Sequence, residues 1–146
     1  MTSSSINSEG NFLTVVGFYS AKPNGENQSP QLSWDAVEGA KSYAIYMYDQ
    51  AAGDWIHWKF IDVTKTSLEQ GESTSDYKGP YPPVSHEYEI VVYALKDKAD
   101  VYDGTLDAPC VRSDVQNALD ISNGEPGNIL AVGSVKAYFY YDKEIK

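Results

Sequence analysis

The sequence predicts a mainly β protein, a Greek-key β-sandwich with one or two short peripheral helices. Three observations predict it. The 146 residues include 12 Tyr, 3 Trp and 4 Phe, and aromatic and β-branched side chains fit the half-buried, pleated surface of a strand. The apolar runs have strand length and are bounded by Gly, Pro, Asn and Asp. Two-residue hairpin turns are few and the connections between runs are long, which suits a Greek key better than a meander.

Residues 1–11 are small and polar and are expected to form a flexible N-terminus. A single domain then runs from 12 to 146. Phe12 to Tyr19 reads as a first strand, and Ser20 to Pro30 as turn chemistry built on Pro23, Asn24-Gly25 and Pro30. Gln31 to Trp34 is short and β-like. Ser42 to Tyr48 is a strong strand with Tyr43, Ile45 and Met47 on one face and Ala44, Tyr46 and Tyr48 on the other. Both faces are apolar, as in a central strand packed on two sides. Trp55 to Val63 is the next strand, and Thr64 to Lys78 a polar surface excursion. Gly79, Pro80, Pro82 and Pro83 then stiffen a loop that leads into a strand at Tyr88 to Leu95. Ser113 to Leu119 is the best helix, with Ser113 and Gln116 spaced as a capping box and Val115 and Leu119 forming a narrow apolar stripe. Ile129 to Tyr141 reads as a last long strand, whose tyrosines are expected to line a core or a dimer face.

The formal net charge of −10 opposes unspecific binding to nucleic acid or to an anionic membrane surface. No basic segment precedes a long apolar core at the N-terminus, and no apolar run approaches the ~20 residues of a membrane span. The single cysteine, Cys110, leaves a framework independent of internal disulfides, which fits a reducing compartment. A cytoplasmic protein without stable membrane insertion is expected.

The chemistry-bearing residues gather around two loop-to-strand junctions. The only histidines, His57 and His86, each stand at the start of an apolar strand, and Asp49 closes another. His86 and Tyr88, two apart on an extended chain, point to the same face. Lone histidines are often ordinary core or surface residues. Otherwise two ligand roles are open. Two imidazoles and a carboxylate form a known iron ligand set, but no local metal motif accompanies them. Alternatively the imidazoles and loop amides bind an anion, with Gly79 turning N–H groups toward it, the prolines lowering the ordering cost and Asp49 orienting one imidazole. Trp55 and Tyr81 are candidate apolar walls. Cys110 has no histidine neighbour in sequence, and there is no nucleophile elbow or phosphate-binding loop. No metal, cofactor or catalytic residue is therefore expected.

Several segments resemble the phosphatidylethanolamine-binding protein family. Asn24 to Trp34 (NGENQSPQLSW) is similar to its opening signature. Tyr48 to Ala52 (YDQAA) stands where the family has an Asp-Pro-Asp-Ala-Pro loop. Trp55 to Trp58 (WIHW) is similar to its Trp-x-His-Trp strand, and Asp76 to Tyr93 to its Gly-Pro-x-Pro-Pro followed by His-x-Tyr. Gly127 to Ala131 (GNILA) resembles the Gly-His-x-Leu-Ala piece before the last strand. These five segments occur in the family's order. The chain departs from the pattern at Gln50, Ala51, Ala52, Glu87 and Asn128, and it lacks the long C-terminal helix of eukaryotic members, so it resembles the short bacterial type.

The resemblance, whose family includes Raf kinase inhibitor protein, implies a β-sandwich with an anion pocket at one end. By motif, Asp49 takes the place of the loop aspartate, His57 the strand histidine, and His86 and Tyr88 the His-x-Tyr pair. Gly79, Pro80, Pro82 and Pro83 take the rigid wall. The expected function is non-enzymatic binding of a small anion such as phosphate or phosphorylethanolamine, with His57 and His86 donating to it and Tyr88 adding a hydroxyl. A protein partner is the alternative, the chain inhibiting a kinase or protease through surface loops. A hydrolase of phosphorylated small molecules is the third reading. Bacterial relatives pair, so a homodimer is compatible with the chain.

Overall fold

A computed structural model describes residues 1–146, with six strands and one α-helix. In chain order these are β1 (Leu32–Ser33), β2 (Ser42–Asp49), β3 (Trp55–Val63), β4 (Ser67–Leu68), β5 (His86–Leu95), α1 (Arg112–Leu119) and β6 (Ile129–Phe139). The main sheet is antiparallel in the order β3-β2-β5-β6, and β1 pairs with β4 in a second, two-stranded sheet. The mainly β expectation is borne out.

β2 is the central strand, and all eight of its residues are buried. Its period of two divides the core. Tyr43, Ile45 and Met47 join Ile90, Val92, Trp58 and Leu32 on one face, while Ala44, Tyr46 and Tyr48 join Val91, Tyr93 and Leu95 on the other. The first face is covered by Phe12, Val16, Leu68 and Tyr77, the second by α1 through Val115 and Leu119. Burying each of those two helix side chains stabilises the packing by about 1.5–3 kcal/mol.

Three expectations are corrected. Phe12 to Tyr19 is not a strand but an irregular segment with a 3-10 turn at Thr14–Val16. Its main chain is engaged by several partners: Phe12 N–H donates to Tyr138 O, and the carbonyls of Val15 and Gly17 accept from residues 26 to 28. The apolar residues there supply burial without a ladder. Residues 1–11, expected as flexible, are tied to the body: Thr2 bridges Ser33, Ile6 bridges Phe12, and the buried Ser5 donates to Gln70 Oε1 at 2.6 Å. The helix starts one residue earlier than predicted, and no side chain caps it. Ser113 lies inside the first turn, and Gln116 Nε2 turns instead toward the Tyr93 hydroxyl.

At the helix C-terminus Asn128, where the family pattern has histidine, is buried and donates to Leu119 O at 3.0 Å and Asp97 O at 2.9 Å. The last strand ends at Phe139. Ala137 and Phe139 enter the core, whereas Tyr138 and Tyr141 are exposed. No helix is long and apolar enough to cross a membrane.

Candidate functional site

The site forms where β2 ends and β5 begins. In the ladder Asp49 pairs with Trp55 on one side and with Tyr88 on the other. His57 stands two residues along β3 from Trp55, and His86 two residues before Tyr88. The polar segment after β4 runs back along the outer edge of β3, with Lys59 N–H donating to Asp76 O and Lys78 N–H to His57 O. This brings the proline loop over the same end of the sheet. The result is a cavity of about 160 Å³ lined by Asp49, Ala52, Trp55, His57, Tyr81, Pro82, Pro83, His86 and Tyr88. Eight of the ten expected ligand residues meet there.

The other two, Gly79 and Pro80, lie behind the wall. The Gly79 N–H donates to Asn27 Oδ1 at 2.7 Å, so it is not turned toward a guest. A Cβ on Gly79 would fall 2.2 Å from Val16 O. Glycine is needed here for close backbone approach, not for an anion nest. Pro80 O accepts from Phe18 N–H at 2.9 Å, which completes the seam between the loop and the N-terminal segment.

Asp49 has two jobs. Its Oδ1 accepts from Ala51 N–H at 3.1 Å and caps a 3-10 turn at Gln50–Ala52, so the turn forms without the prolines of the family pattern. Its Oδ2 accepts from His86 Nδ1 at 2.7 Å. A carboxylate can only accept, so His86 carries a hydrogen on Nδ1 and aims Nε2 elsewhere. Asp49 therefore holds the His86 ring by its Nδ1 edge.

The expected donor role of His57 is not available. Its Nδ1 lies 2.8 Å from Lys78 O, an acceptor, so the hydrogen sits on Nδ1. The ring is buried. Burial pushes its pKa down, against the Lys78 carbonyl and the charges of Asp49 and Asp107. Burial thus favours the neutral ring, whose Nε2 offers a lone pair. Tyr88 is fully buried and its hydroxyl makes no hydrogen bond of good geometry in the chain, although the Asp49 carboxylate lies close enough to act on it by charge and by a weak, poorly aligned contact. Burial first, and the Asp49 charge second, push its pKa well above the ordinary phenol range. The three residues do not point donors at one centre, and no cluster of three His, Cys, Asp or Glu is placed to hold a metal.

Asp107 is the residue that sequence reasoning missed. Its Oδ1 accepts from Trp55 Nε1 at 3.0 Å and from the Tyr81 hydroxyl at 2.7 Å, and its Oδ2 accepts from Lys78 Nζ at 2.8 Å. It thereby ties the strand wall of the cavity to the loop wall. Desolvation pushes its pKa up, but these three bonds outweigh it and hold the carboxyl down to about 2. Lys78 also lies over the Phe18 and Tyr81 rings. Single acidic residues normally mark solvated surface, so nothing local to Asp107 betrays this role.

A family model described as phosphatidylethanolamine-binding protein matches residues 3–139. The chain is 35% identical over 104 residues to a UPF0098 protein of Methanothermobacter thermautotrophicus, covering 56% of this chain and 69% of that protein. It is 30% identical over 124 residues to the UPF0098 protein YbcL of Escherichia coli, covering 66% of this chain and 68% of YbcL. The crystal structure of E. coli YbcL, described as a new member of the mammalian PEBP family, superposes with a TM-score of 0.68 at 25% identity over 99% of this chain and 97% of that one. A PEBP homologue from Chlamydia trachomatis shares the fold, with a TM-score of 0.67 at 21% identity over 98% and 96% of the two chains.

Proposed function

The chain belongs to the phosphatidylethanolamine-binding protein family, of the bacterial kind represented by YbcL, and from this we propose that it is a non-enzymatic binding protein for a small phosphate-containing anion. One observation carries the reading: the oriented His86 imidazole and the unpartnered Tyr88 hydroxyl line one small cavity with a rigid aromatic and proline rim. A buried hydroxyl without a partner is costly unless a guest uses it. The cavity suits a headgroup such as phosphate or phosphorylethanolamine rather than an acyl chain.

A binding role also fits the lack of an activated nucleophile. Burial pushes the Cys110 thiol up to about 11, and its Sγ donates to Asp54 O rather than facing a histidine. Trp55, Tyr81, Pro82 and Pro83 give the guest an apolar collar.

The test is a titration of phosphate and phosphorylethanolamine followed by histidine ring NMR signals. His86 signals should move at millimolar ligand, because its ring lines the cavity. His86→Ala should abolish binding while keeping the fold. Silence in the wild type sinks the proposal. A protein partner captured equally by wild type and His86→Ala would favour an interaction module instead.

A further inference from the structure

Resting on that reading, we propose that the pocket selects an oxyanion that still bears a hydrogen, such as a singly protonated phosphate or phosphate monoester, over a fully deprotonated one. The geometry of His57 carries this. Its Nδ1 hydrogen is committed to the Lys78 carbonyl, so in the neutral ring, the form that burial favours, Nε2 can only accept. The ring lines the cavity, and the Lys78 and Gly79 backbone on its other side leaves no side chain bonded to it. Against it stand Asp49, an acceptor, and two groups that can donate, the Tyr88 hydroxyl and His86 when doubly protonated. A guest that meets all of them needs at least one hydrogen of its own alongside its oxygens. A bare dianion would set an oxygen lone pair against the His57 lone pair, an unpaired contact beside a buried ring.

The charges agree. The lining contains no Lys or Arg. Of the titratable groups facing His57, Asp49 is matched to His86, and Lys78 is matched to Asp107 at 2.8 Å. Tyr81 and Tyr88 are neutral, their pKa values raised first by burial. Even with His86 charged, the four groups of these two pairs sum to zero, so each added negative charge on the guest raises an uncompensated cost and the less charged form is favoured.

Sulfate and inorganic phosphate separate this inference from the simpler anion pocket. Sulfate has the same shape and carries no hydrogen above strongly acidic pH. Phosphate loses one hydrogen near neutrality but keeps another until strongly basic pH. Because sulfate does not change form, the ratio of the two affinities removes the contribution of His86 protonation. By calorimetry, phosphate should bind at least about tenfold tighter than sulfate at about pH 6, and it should remain the tighter ligand at about pH 8, where both ions are dianions and only phosphate bears a hydrogen. The His57→Phe variant should bring sulfate to parity at the higher pH. If that variant does not fold, ring-nitrogen NMR of the wild type with phosphate decides: His57 must hold its hydrogen on Nδ1 alone. Equal affinities at about pH 6, or a His57 with hydrogen on Nε2 in the complex, overturn the inference and leave the anion pocket standing. Binding of neither ion overturns both.

Discussion

Replacing Tyr88 by Phe separates what the pocket needs for binding from what the fold needs for stability. The Tyr88 ring is fully buried, stands edge-on to His57 at 5.3 Å between centroids and packs against Phe12 at 6.4 Å. Phenylalanine keeps these contacts and deletes only the hydroxyl. That hydroxyl has no partner in the chain. A buried polar group left unsatisfied costs about 1–3 kcal/mol, and the neighbouring cavity admits some solvent, so the lower end applies. Tyr88→Phe should therefore raise stability by about 1 kcal/mol, or Tm by about 3 °C. Urea denaturation of the ligand-free protein gives the first number. Phosphate at about one hundred times its wild-type Kd should add about 2.7 kcal/mol to the wild type. If the hydroxyl donates to the anion, Kd rises about tenfold in the variant and that increment falls to about 1.4 kcal/mol. The variant would thus be more stable empty and less stabilised when loaded. A loss of about 1 kcal/mol or more without ligand would mean that the hydroxyl is bonded to Asp49 in solution. An unchanged phosphate increment would mean that it does not reach the guest.

Gly79→Ala should cost about 2–3 kcal/mol by urea denaturation and weaken phosphate binding, because its Cβ would meet the Val16 carbonyl 2.2 Å away, backbone against backbone. Arg112→Met removes bonds to Glu89 and Asp54 and the stacking over the Tyr48 ring at 4.0 Å. It should cost about 2 kcal/mol in thermal or urea melts while leaving phosphate affinity unchanged, since none of these groups lines the cavity and Tyr48 faces the opposite side of the sheet. The folded pKa of His57 lies below its ordinary value. On acidification the unfolded chain therefore takes up that proton first, and stability should fall below about pH 6.5 with a slope of up to about 1.4 kcal/mol per pH unit. His57→Phe should remove this arm of the stability profile. Asp107 acts lower: its carboxyl is held down from 3.8 to about 2, so its contribution is complete above the first value and is lost toward the second. Asp107→Asn should flatten that part of the curve.

Side-chain period made the sheet legible. The two faces of β2 separate in the structure as its alternation implied, because a fully buried strand leaves no freedom to rotate. β3 spans the predicted residues, and β5 begins two residues earlier than expected, at His86. The helix was found from its stripe but not from its cap, because Arg112 is drawn to Asp54 and Glu89 by tertiary ion pairs and sets the first turn. Phe12 to Tyr19 misled because apolar alternation there serves burial against β6 and the 25–28 segment, not pairing. At the site, residue types and order identified most of the lining. Hydrogen direction was not legible: a neutral or donating His57 is the same letter, and only the Lys78 carbonyl decides between them. Asp107 was invisible for a similar reason, since its three partners come from two stretches of chain, β3 and the proline loop, both remote from it in sequence.

Asp49 shows how such hidden direction can be tested without disturbing the frame. Its Oδ1 holds the turn through Ala51 N–H, and its Oδ2 holds His86 through Nδ1. Asparagine is nearly isosteric and can keep an oxygen toward Ala51. Its NH₂ then faces His86 Nδ1, and two donors cannot share one bond. The imidazole must give up the Nδ1 hydrogen, turn over, or lose the contact. In the first case a neutral His86 carries its hydrogen on Nε2, directed away from residue 49. Asp49→Asn should consequently fold with a change of about 1 kcal/mol or less, because the turn cap survives and the site is small. The His86 ring nitrogens should switch tautomer in NMR spectra, and phosphate should bind about tenfold more weakly once the imidazolium has lost its carboxylate partner. A variant that keeps the wild-type tautomer and full affinity would show that the ladder position of His86, and not the carboxylate, aims the ring.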